Sequence, residues 1–275
     1  MKAADRAFAE ALRHDEVSGA TAIVARTARF LGEGQRDRGS LVEVAFACAA
    51  AQPAMAGLRT VLDIARDAAD PAEALRHLLE RLTRAPRQIA RHASELLRLG
   101  LETGAGGRPV LTLVTCSSSA PVYETCRLLF RDVDLTVCCA ESRPRCEGEA
   151  LALDLAGAGL RVQLFTDAGI SSAVPGSHAV VIGADAVGPD AIVNKVGSAA
   201  LCALANASAV PVYVLAGREK LLSAPSFAEL EFPNRPAADP AEESQGSSRL
   251  RQNPIFERVP RHLVTQIVTD AGPLS

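Results

Sequence analysis

The sequence predicts an α/β protein in which an N-terminal helical domain, residues 1–103, precedes a parallel-sheet domain, residues 108–275. Two observations carry this prediction. Residues 1–100 are rich in Ala, Leu and Arg at helical spacing and contain few β-branched runs. Beyond a break with Gly and Pro at residues 104–109, apolar runs alternate with helical stretches. That alternation is typical of a parallel sheet with helices on both faces.

The individual elements follow from the same patterns. Helical spacing predicts helices in the first domain at residues 3–14, 19–32, 40–50, 54–69 and 72–100. Short apolar runs predict strands in the second domain at residues 110–115, 134–140, 161–166, 179–182, 211–215 and 264–269. Helices fit between these strands at residues 120–131, 146–158 and 198–208. The prolines within residues 217–255 predict a long irregular segment.

Composition narrows the functional classes. The chain has 275 residues, 48% of them hydrophobic, and a mean hydropathy of +0.12, as in a globular protein with a substantial core. The net charge of −3 and the pI near 6.0 argue against a basic surface that binds nucleic acid. Residues 196–217 carry no charge, but Pro211 interrupts them and their character changes from helical to strand-like. We therefore expect a buried helix and strand there, and not a membrane span.

The cysteines indicate a reducing compartment, and the histidines indicate no metal site. Seven cysteines, an odd number with no CxxC pair, are typical of free thiols and not of a disulfide scaffold. The five histidines lie at no metal-ligand spacing, and the sequence has no glycine-rich dinucleotide fingerprint. The charged N-terminus has no apolar signal-peptide core. We expect a cytoplasmic protein with no metal, no cofactor, no direct nucleic-acid partner and no membrane contact.

Reactive side chains follow the predicted strands at their carboxyl ends. Cys116, Arg143 and Asp185 each come after a strand. Asn194 and Lys195 are predicted to open the next helix. Ligands of open α/β sheets bind at this edge. A thiol and a carboxylate could serve there as general acid and base, while the cations and helix amides hold an anion. Taken singly, a small buried thiol or a solvated helix-entry arginine explains these residues as well.

Local context adds three expectations. Cys116 lies close to the N-terminus of a predicted helix, and the helix dipole there favours a thiolate. The serines from Ser117 onward could cap that helix or bind an anion. Asp167, after the third strand, is interpreted as an N-cap. Only three of the 29 basic residues are lysines, which indicates that position 195 requires the compact point charge of a lysine ammonium.

Five segments, in this order along the chain, carry a resemblance to a known family. They are Ser18-Gly19-Ala20, Gln52-Pro53-Ala54-Met55-Ala56, Glu141-Ser142-Arg143-Pro144 with Glu147-Gly148, Gly183-Ala184-Asp185 with Asn194-Lys195-Val196-Gly197, and Asn253-Pro254-Ile255-Phe256-Glu257 with Thr269-Asp270. Over nearly its whole length the chain resembles the α, β and δ regulatory subunits of eukaryotic translation initiation factor 2B. It equally resembles their enzymatic relatives, 5-methylthioribose-1-phosphate isomerase and ribose-1,5-bisphosphate isomerase.

The resemblance implies a Rossmann-like sheet domain and conversion of an aldose 1-phosphate to a ketose. The implied catalytic pair is Cys116 and Asp185. We expect Cys116 to move the proton between the sugar carbons, and Asp185 to handle ring opening and the oxygen protons. The implied substrate-binding residues are Gly19, Ala20, Ser117, Arg143, Glu147, Asn194 and Lys195. The resemblance also implies a homodimer or a higher homo-oligomer.

The chain departs from the enzymes at several positions. Ser18 and Gln52 stand where the enzymes usually have Arg, and Glu147 stands where they have Gln. The loss of two arginines weakens phosphate binding, since each charge-assisted hydrogen bond contributes about 1.5–3 kcal/mol. A monophosphate therefore fits better than a bisphosphate. The alternative is a non-catalytic regulatory or assembly protein that binds a sugar phosphate or a nucleotide.

Overall fold

The computed structural model describes residues 1–15, 18–99, 101–102, 107–232 and 254–274. The helices predicted for the N-terminal part are all present, with ends that differ from the prediction by a residue or two. They are α1 (Ala3–Arg13), α2 (Ala20–Glu33), α3 (Arg38–Ala51), α4 (Ala56–Asp67) and α5 (Pro71–Arg98).

The long helix α5 connects the two parts of the fold. It begins where the Asp70 carboxylate accepts the backbone N–H of Glu73 and Pro71 fills the first turn. Its apolar residues recur every three or four positions and form one stripe. The first half of that stripe, including Leu78, packs in the core of the helical region, while the second half, including Ile89 and Leu97, packs in the core beneath the sheet.

The second part confirms the predicted α/β class. Its large sheet has the order β10-β9-β7-β4-β1-β2-β3, and all neighbours in it are parallel except β10 and β9. The strands are β1 (Val110–Thr115), β2 (Asp134–Ala140), β3 (Arg161–Phe165), β4 (Ala179–Gly183), β7 (Val212–Leu215), β9 (Gln266–Thr269) and β10 (Gly272–Pro273). The connecting helices are α6 (Ala120–Leu129), α7 (Glu147–Gly157) and α8 (Ser198–Ala207).

The strand order creates a crevice between β1 and β4. From β1 the chain adds strands outward on one side through β2 to β3, and then returns to add β4, β7 and β9 on the other side. At such a switch point the loops after the two central strands diverge and leave room for a ligand. Cys116 follows β1 and Asp185 follows β4, so both lie at this crevice.

A small antiparallel sheet was not predicted. It consists of β5 (Ala186–Val187), β6 (Ala191–Lys195) and β8 (Phe256–Pro260), in the order β5-β6-β8. The expectation that Asn194 and Lys195 open a helix is therefore wrong, because both residues end β6. Helix α8 begins only at Ser198, after Gly197 turns the chain with a φ of 96°.

The segment expected to be irregular contains the short helix α9 (Ala224–Ala228). Residues 233–253, which include Asn253 of the fifth motif, lie outside the described residues, as do residues 103–106 of the predicted break. The division into domains at residues 103–108 stays a prediction.

Candidate active site

A cavity of about 580 Å³ lies at the crevice between β1 and β4. Residues 116–121 and 145–147, which follow β1 and β2, form one side, which we call the sheet wall. Asn194, Lys195 and Phe256, which belong to the small sheet, form another side, which we call the ribbon wall. Residues 18–22, Asp154, Asp185 and Lys220 also line the cavity.

Three helix N-termini meet at this cavity. Helix α2 presents Gly19 and Ala20, α6 presents Ser119 and Ala120, and α7 presents Glu147. None of these three described helices has its N-cap side chain hydrogen-bonded to the first-turn backbone. The first N–H groups of a helix carry partial positive charge, so their convergence favours an anion.

Cys116 lies on the sheet wall and is 6% exposed. Its Sγ is 3.4 Å from Ser198 Oγ. Ser198 donates its own proton to the carbonyl oxygen of Lys195 at 2.6 Å, and its oxygen accepts the Asn194 amide at 2.9 Å. Since the Ser198 proton is engaged, the Cys116 thiol is the donor to Ser198.

Burial decides the ionisation of Cys116. It raises the pKa of the Cys116 thiol to about 11, against the opposing effects of the hydrogen bond with Ser198 and of the positive charge of Lys195. The helix dipole is expected to favour the thiolate of this residue, but burial has the larger effect. Helix α6 begins four residues after the cysteine, and the loss of water around the sulfur outweighs the dipole. At neutral pH the residue is a thiol.

Asp185 faces the cavity from the end of β4. Its backbone N–H donates to Val193 O at 2.8 Å, and its carbonyl accepts the N–H of Ala56 at 3.2 Å, which ties the site to the start of α4. Removal from water raises the pKa of the Asp185 carboxyl, the charge of Glu147 raises it further, and Lys220 and Lys195 oppose the rise. The shift favours the protonated acid that can donate to a ligand.

Lys220 is a site residue that the sequence reasoning did not select. It is buried, lines the cavity, and donates to the carbonyl of Ala184 at 2.6 Å. The scarcity of lysine was the available signal, because two of the three lysines in the chain, Lys195 and Lys220, lie in this cavity.

Lys195 of the ribbon wall and Glu147 of the sheet wall form an ion pair. Lys195 Nζ lies 3.0 Å and 2.8 Å from the two carboxylate oxygens of Glu147. The lysine side chain is 2% exposed and the glutamate side chain is 27% exposed. The positive charge expected to hold an anion is thus already balanced within the protein.

Arg143 lies outside the cavity lining, contrary to expectation. Its side chain is exposed and its Nη1 lies 3.7 Å from Cys146 Sγ. Arg145, two residues further along, lines the cavity instead. The remaining predicted site residues all lie on the cavity wall.

Asp167 does not cap a helix. Its carboxylate accepts the backbone N–H groups of Ser142 and Arg143, each at 2.7 Å. Ser142 Oγ in turn accepts the N–H of Ser117 at 2.7 Å. These bonds hold together the loops that follow β1, β2 and β3, and so they fix the shape of the sheet wall.

The two positions that depart from the enzymes have different surroundings. Ser18 lines the cavity beside the start of α2. Gln52 is buried away from the cavity lining and donates to the carbonyl of Leu12 at 2.7 Å and to that of Asp15 at 3.2 Å. Gln52 therefore anchors the segment that leads into α2.

Three further observations bear on function. All seven cysteines are free thiols. Within the described ranges, no group of three or more His, Cys, Asp and Glu side chains is arranged to hold a metal ion. Among the helices of the described residues, none is both long and apolar enough to cross a membrane.

Comparison with known proteins places this geometry in a family. The family model described as "Initiation factor 2 subunit family" matches residues 16–275. A methylthioribose-1-phosphate isomerase of Exiguobacterium sibiricum is 28% identical over 269 residues, which cover 90% of this chain and 76% of the relative. A ribose 1,5-bisphosphate isomerase of Methanocaldococcus jannaschii is 30% identical over 164 residues, 58% of this chain and 53% of the relative.

Solved structures agree on the fold. The structure described as translation initiation factor eIF-2B of Pyrococcus horikoshii OT3 has a TM-score of 0.78 and 22% sequence identity, and the match covers 100% of this chain and 98% of that chain. The chain therefore spans nearly all of this solved structure, about three quarters of the first isomerase, and about half of the second.

Proposed function

The chain belongs to the initiation factor 2 subunit family, and on that premise we propose that it is an aldose–ketose isomerase acting on a sugar 1-phosphate. The observation that carries the proposal is the presence of Cys116 and Asp185 in the lining of one cavity at the switch point of the sheet. The names of the isomerases that the chain resembles support the same reaction class.

The cavity offers the phosphate several donors. The N-termini of α2 and α6 supply backbone N–H groups, and Arg145 and Lys220 supply charge. In the proposed complex these groups hold the 1-phosphate, because convergent amides and cations bind phosphate without further rearrangement. The sugar ring then lies between the thiol of Cys116 and the carboxyl of Asp185.

Ring opening is assigned to Asp185. Its carboxylic acid gives a proton to the ring oxygen, and the bond from that oxygen to C1 breaks, with its electron pair passing to the oxygen. C1 remains bonded to the phosphate oxygen and becomes electron-poor, which acidifies the hydrogen on C2. The raised pKa of Asp185 suits this step, since it increases the fraction of the carboxyl that is protonated and can act as the acid.

Proton transfer between carbons is assigned to Cys116. As a thiolate it takes the C2 proton, and the C–H electron pair forms a double bond between C1 and C2. It then returns the proton to C1, while the C2 hydroxyl gives its proton to the Asp185 carboxylate and becomes the ketone. Both side chains end in their starting states, and no oxidant or reductant is consumed.

This scheme requires the less abundant ionisation state. The active form needs Asp185 protonated and Cys116 ionised, although the pKa of Cys116 is about 11. Below the pKa of Asp185 that residue is already protonated, and a falling pH only reduces the fraction of Cys116 thiolate, so we expect kcat/KM to fall. Above the pKa of Cys116 the thiolate is complete, and a rising pH only removes the proton from Asp185, so kcat/KM falls again. Between the two pKa values the gain in thiolate cancels the loss of protonated Asp185, and kcat/KM is independent of pH.

The test is turnover by the purified full chain. Methylthioribose-1-phosphate, ribose-1-phosphate and ribose-1,5-bisphosphate are offered, and ketose formation is followed. Cys116→Ser and Asp185→Asn are each expected to lower kcat by about a thousandfold while ligand binding survives. The absence of a ketose product from all three sugars, or unchanged turnover in Cys116→Ser, would contradict the proposed isomerase activity.

A second candidate function is non-catalytic binding by a regulatory or assembly protein. The neutralised ammonium of Lys195 and the protonated thiol of Cys116 favour it. It predicts that sugar phosphates or nucleotides raise the melting temperature without any turnover. Turnover that depends on Cys116 excludes it.

Location and assembly complete the proposal. The free thiols are consistent with a reducing cytoplasm. A homodimer or a higher homo-oligomer is the assembly implied by the family. Sedimentation of the purified chain at several concentrations tests it, and a monomer at all of them would exclude it.

A further inference from the structure

The Glu147–Lys195 pair bears on which sugar phosphates the cavity accepts. The ammonium of Lys195 contacts both carboxylate oxygens of Glu147 and is almost fully buried. A buried ammonium with two close carboxylate contacts has its charge satisfied. A phosphate that approached Lys195 would meet the negative charge of Glu147 at the same place.

The rest of the cavity does not supply surplus positive charge. Three cationic side chains line it, Arg145, Lys195 and Lys220. Three acidic side chains line it as well, Glu147, Asp154 and Asp185. Asp185 is shifted toward its neutral form, so the lining carries at most a small positive charge. One phosphate monoester carries a charge of about −1.5 to −2 near neutral pH, and a second phosphate doubles it.

We propose that Glu147 is a specificity determinant that restricts this cavity to sugars with a single phosphate, because it occupies the ammonium of Lys195 that a second phosphate needs. The inference rests on the proposed function only in taking the ligand to be a phosphorylated sugar. The end of the sugar away from its phosphate then carries hydroxyl groups, which can donate to the Glu147 carboxylate. Between the two isomerases that the chain resembles, this places it with enzymes of monophosphates.

A matched control exists in the same turn of α7. Glu149 lies two residues after Glu147 in the first turn of the helix, but its side chain is exposed and outside the cavity lining. Glu149→Gln removes one charge from that turn without freeing Lys195. Glu147→Gln frees the ammonium and keeps an oxygen that accepts a hydrogen bond from it. Glu147→Asp keeps the charge on a shorter side chain.

The experiment is calorimetric titration of ribose-1-phosphate and ribose-1,5-bisphosphate into the full chain and these three variants. The native protein is expected to bind the monophosphate more tightly. Glu147→Gln is expected to tighten the bisphosphate about tenfold or more relative to the monophosphate, as charge-assisted bonds to Lys195 become possible. Glu149→Gln and Glu147→Asp are expected to leave that ratio within about twofold. Circular dichroism verifies that each variant is folded.

The outcomes separate this inference from the proposed reaction. An unchanged ratio in Glu147→Gln, tighter bisphosphate binding by the native protein, or no binding of either sugar overturns the role of Glu147. The expected shift in the ratio of bisphosphate to monophosphate affinity, without turnover of any sugar, supports the role of Glu147 and contradicts the proposed isomerase activity. Turnover of both sugars with equal kcat/KM supports the isomerase and overturns the selection.

Discussion

The sheet wall and the ribbon wall of the cavity hold their side chains in different ways. On the sheet wall, hydrogen bonds to backbone N–H groups fix the turns, as between Asp167 and Ser142 and between Ser142 and Ser117. On the ribbon wall, Lys195 is held by an ion pair with Glu147 of the sheet wall. The sheet wall therefore depends on backbone geometry, whereas the ribbon wall depends on balanced charge.

The largest expected effect comes from unbalancing the charge. Glu147→Ala leaves the buried Lys195 ammonium without its partner, and we expect the free energy of unfolding to fall by about 3 kcal/mol. Lys195→Met is expected to cost less, because Glu147 keeps contact with water. Urea titration measures the free energy of unfolding of both variants.

The double variant is the control for this prediction. Glu147→Ala with Lys195→Met removes both charges and should recover most of the loss, since the two residues are coupled. Simple addition of the two single effects would show that the ribbon wall does not depend on this pair.

The dependence of the sheet wall on backbone geometry is tested within α7. A Cβ on Gly148 would lie 1.8 Å from the carbonyl oxygen of Ala140, so Gly148→Ala forces the end of β2 and the start of α7 apart. We expect destabilisation of about 2–3 kcal/mol. Gly157→Ala, in the same helix, has no atom within 4 Å of the new Cβ. It should be neutral or stabilise by up to about 1 kcal/mol. Thermal unfolding compares the stability of the two variants, and an equal loss of stability in both would contradict the close contact at Gly148.

The two walls meet at Ser198, which supplies a sharper test. The hydrogen bond with its hydroxyl lowers the pKa of the Cys116 thiol, because a hydroxyl can donate to the thiolate once the thiol ionises. Ser198→Ala is expected to raise the pKa of Cys116 further and to slow its alkylation at pH 8 about fivefold, as loss of a bond of about 1 kcal/mol implies. Ser198→Thr keeps the hydroxyl and the native rate. Iodoacetamide labelling read by peptide mass spectrometry resolves Cys116 from Cys146, and faster labelling of Cys116 in Ser198→Ala would contradict this effect of the hydroxyl.

The smallest effect concerns Asp185 and pH. Its raised pKa means that the folded protein holds the proton more tightly than the unfolded chain does. Ionisation therefore destabilises the fold as pH rises above the unfolded-state pKa of about 3.9, and the full loss is reached above the folded-state pKa. Asp185→Asn should be more stable than the native protein at pH 8 and equally stable at pH 3.5. Asp190→Asn, at an exposed position, is the control, and equal stability of Asp185→Asn and native protein at pH 8 would contradict the shift.

The contrast between the walls also explains what the sequence could predict. Cys116 and Asp185 were selected because each follows an apolar strand of a parallel sheet, and the carboxyl ends of such strands share one edge. Asn194 and Lys195 were also selected and line the cavity, but they were assigned to a helix. Strand β6 is buried along its whole length and therefore shows no alternation, and its partner β5 has only two residues.

Other details required three-dimensional information. Arg143 and Arg145 are two residues apart in one loop, and which side chain faces the cavity depends on the path of that loop, whose backbone Asp167 holds at Ser142 and Arg143. The dipole argument for Cys116 had the correct sign, but burial, which local sequence does not report, has the larger effect. The Glu147–Lys195 pair joins positions 48 residues apart, and no local pattern signals it.

Helix α5 has a consequence for protein engineering. Its first half lies in one core and its second half in the other, so the helix is a component of both. A fragment cut near residue 103 would carry Ile89, Ala93 and Leu97 without the strands that cover them, and would expose a continuous apolar strip to water. Exchange of modules with other members of the family should therefore place its junctions so that α5 travels with matched partners on both sides.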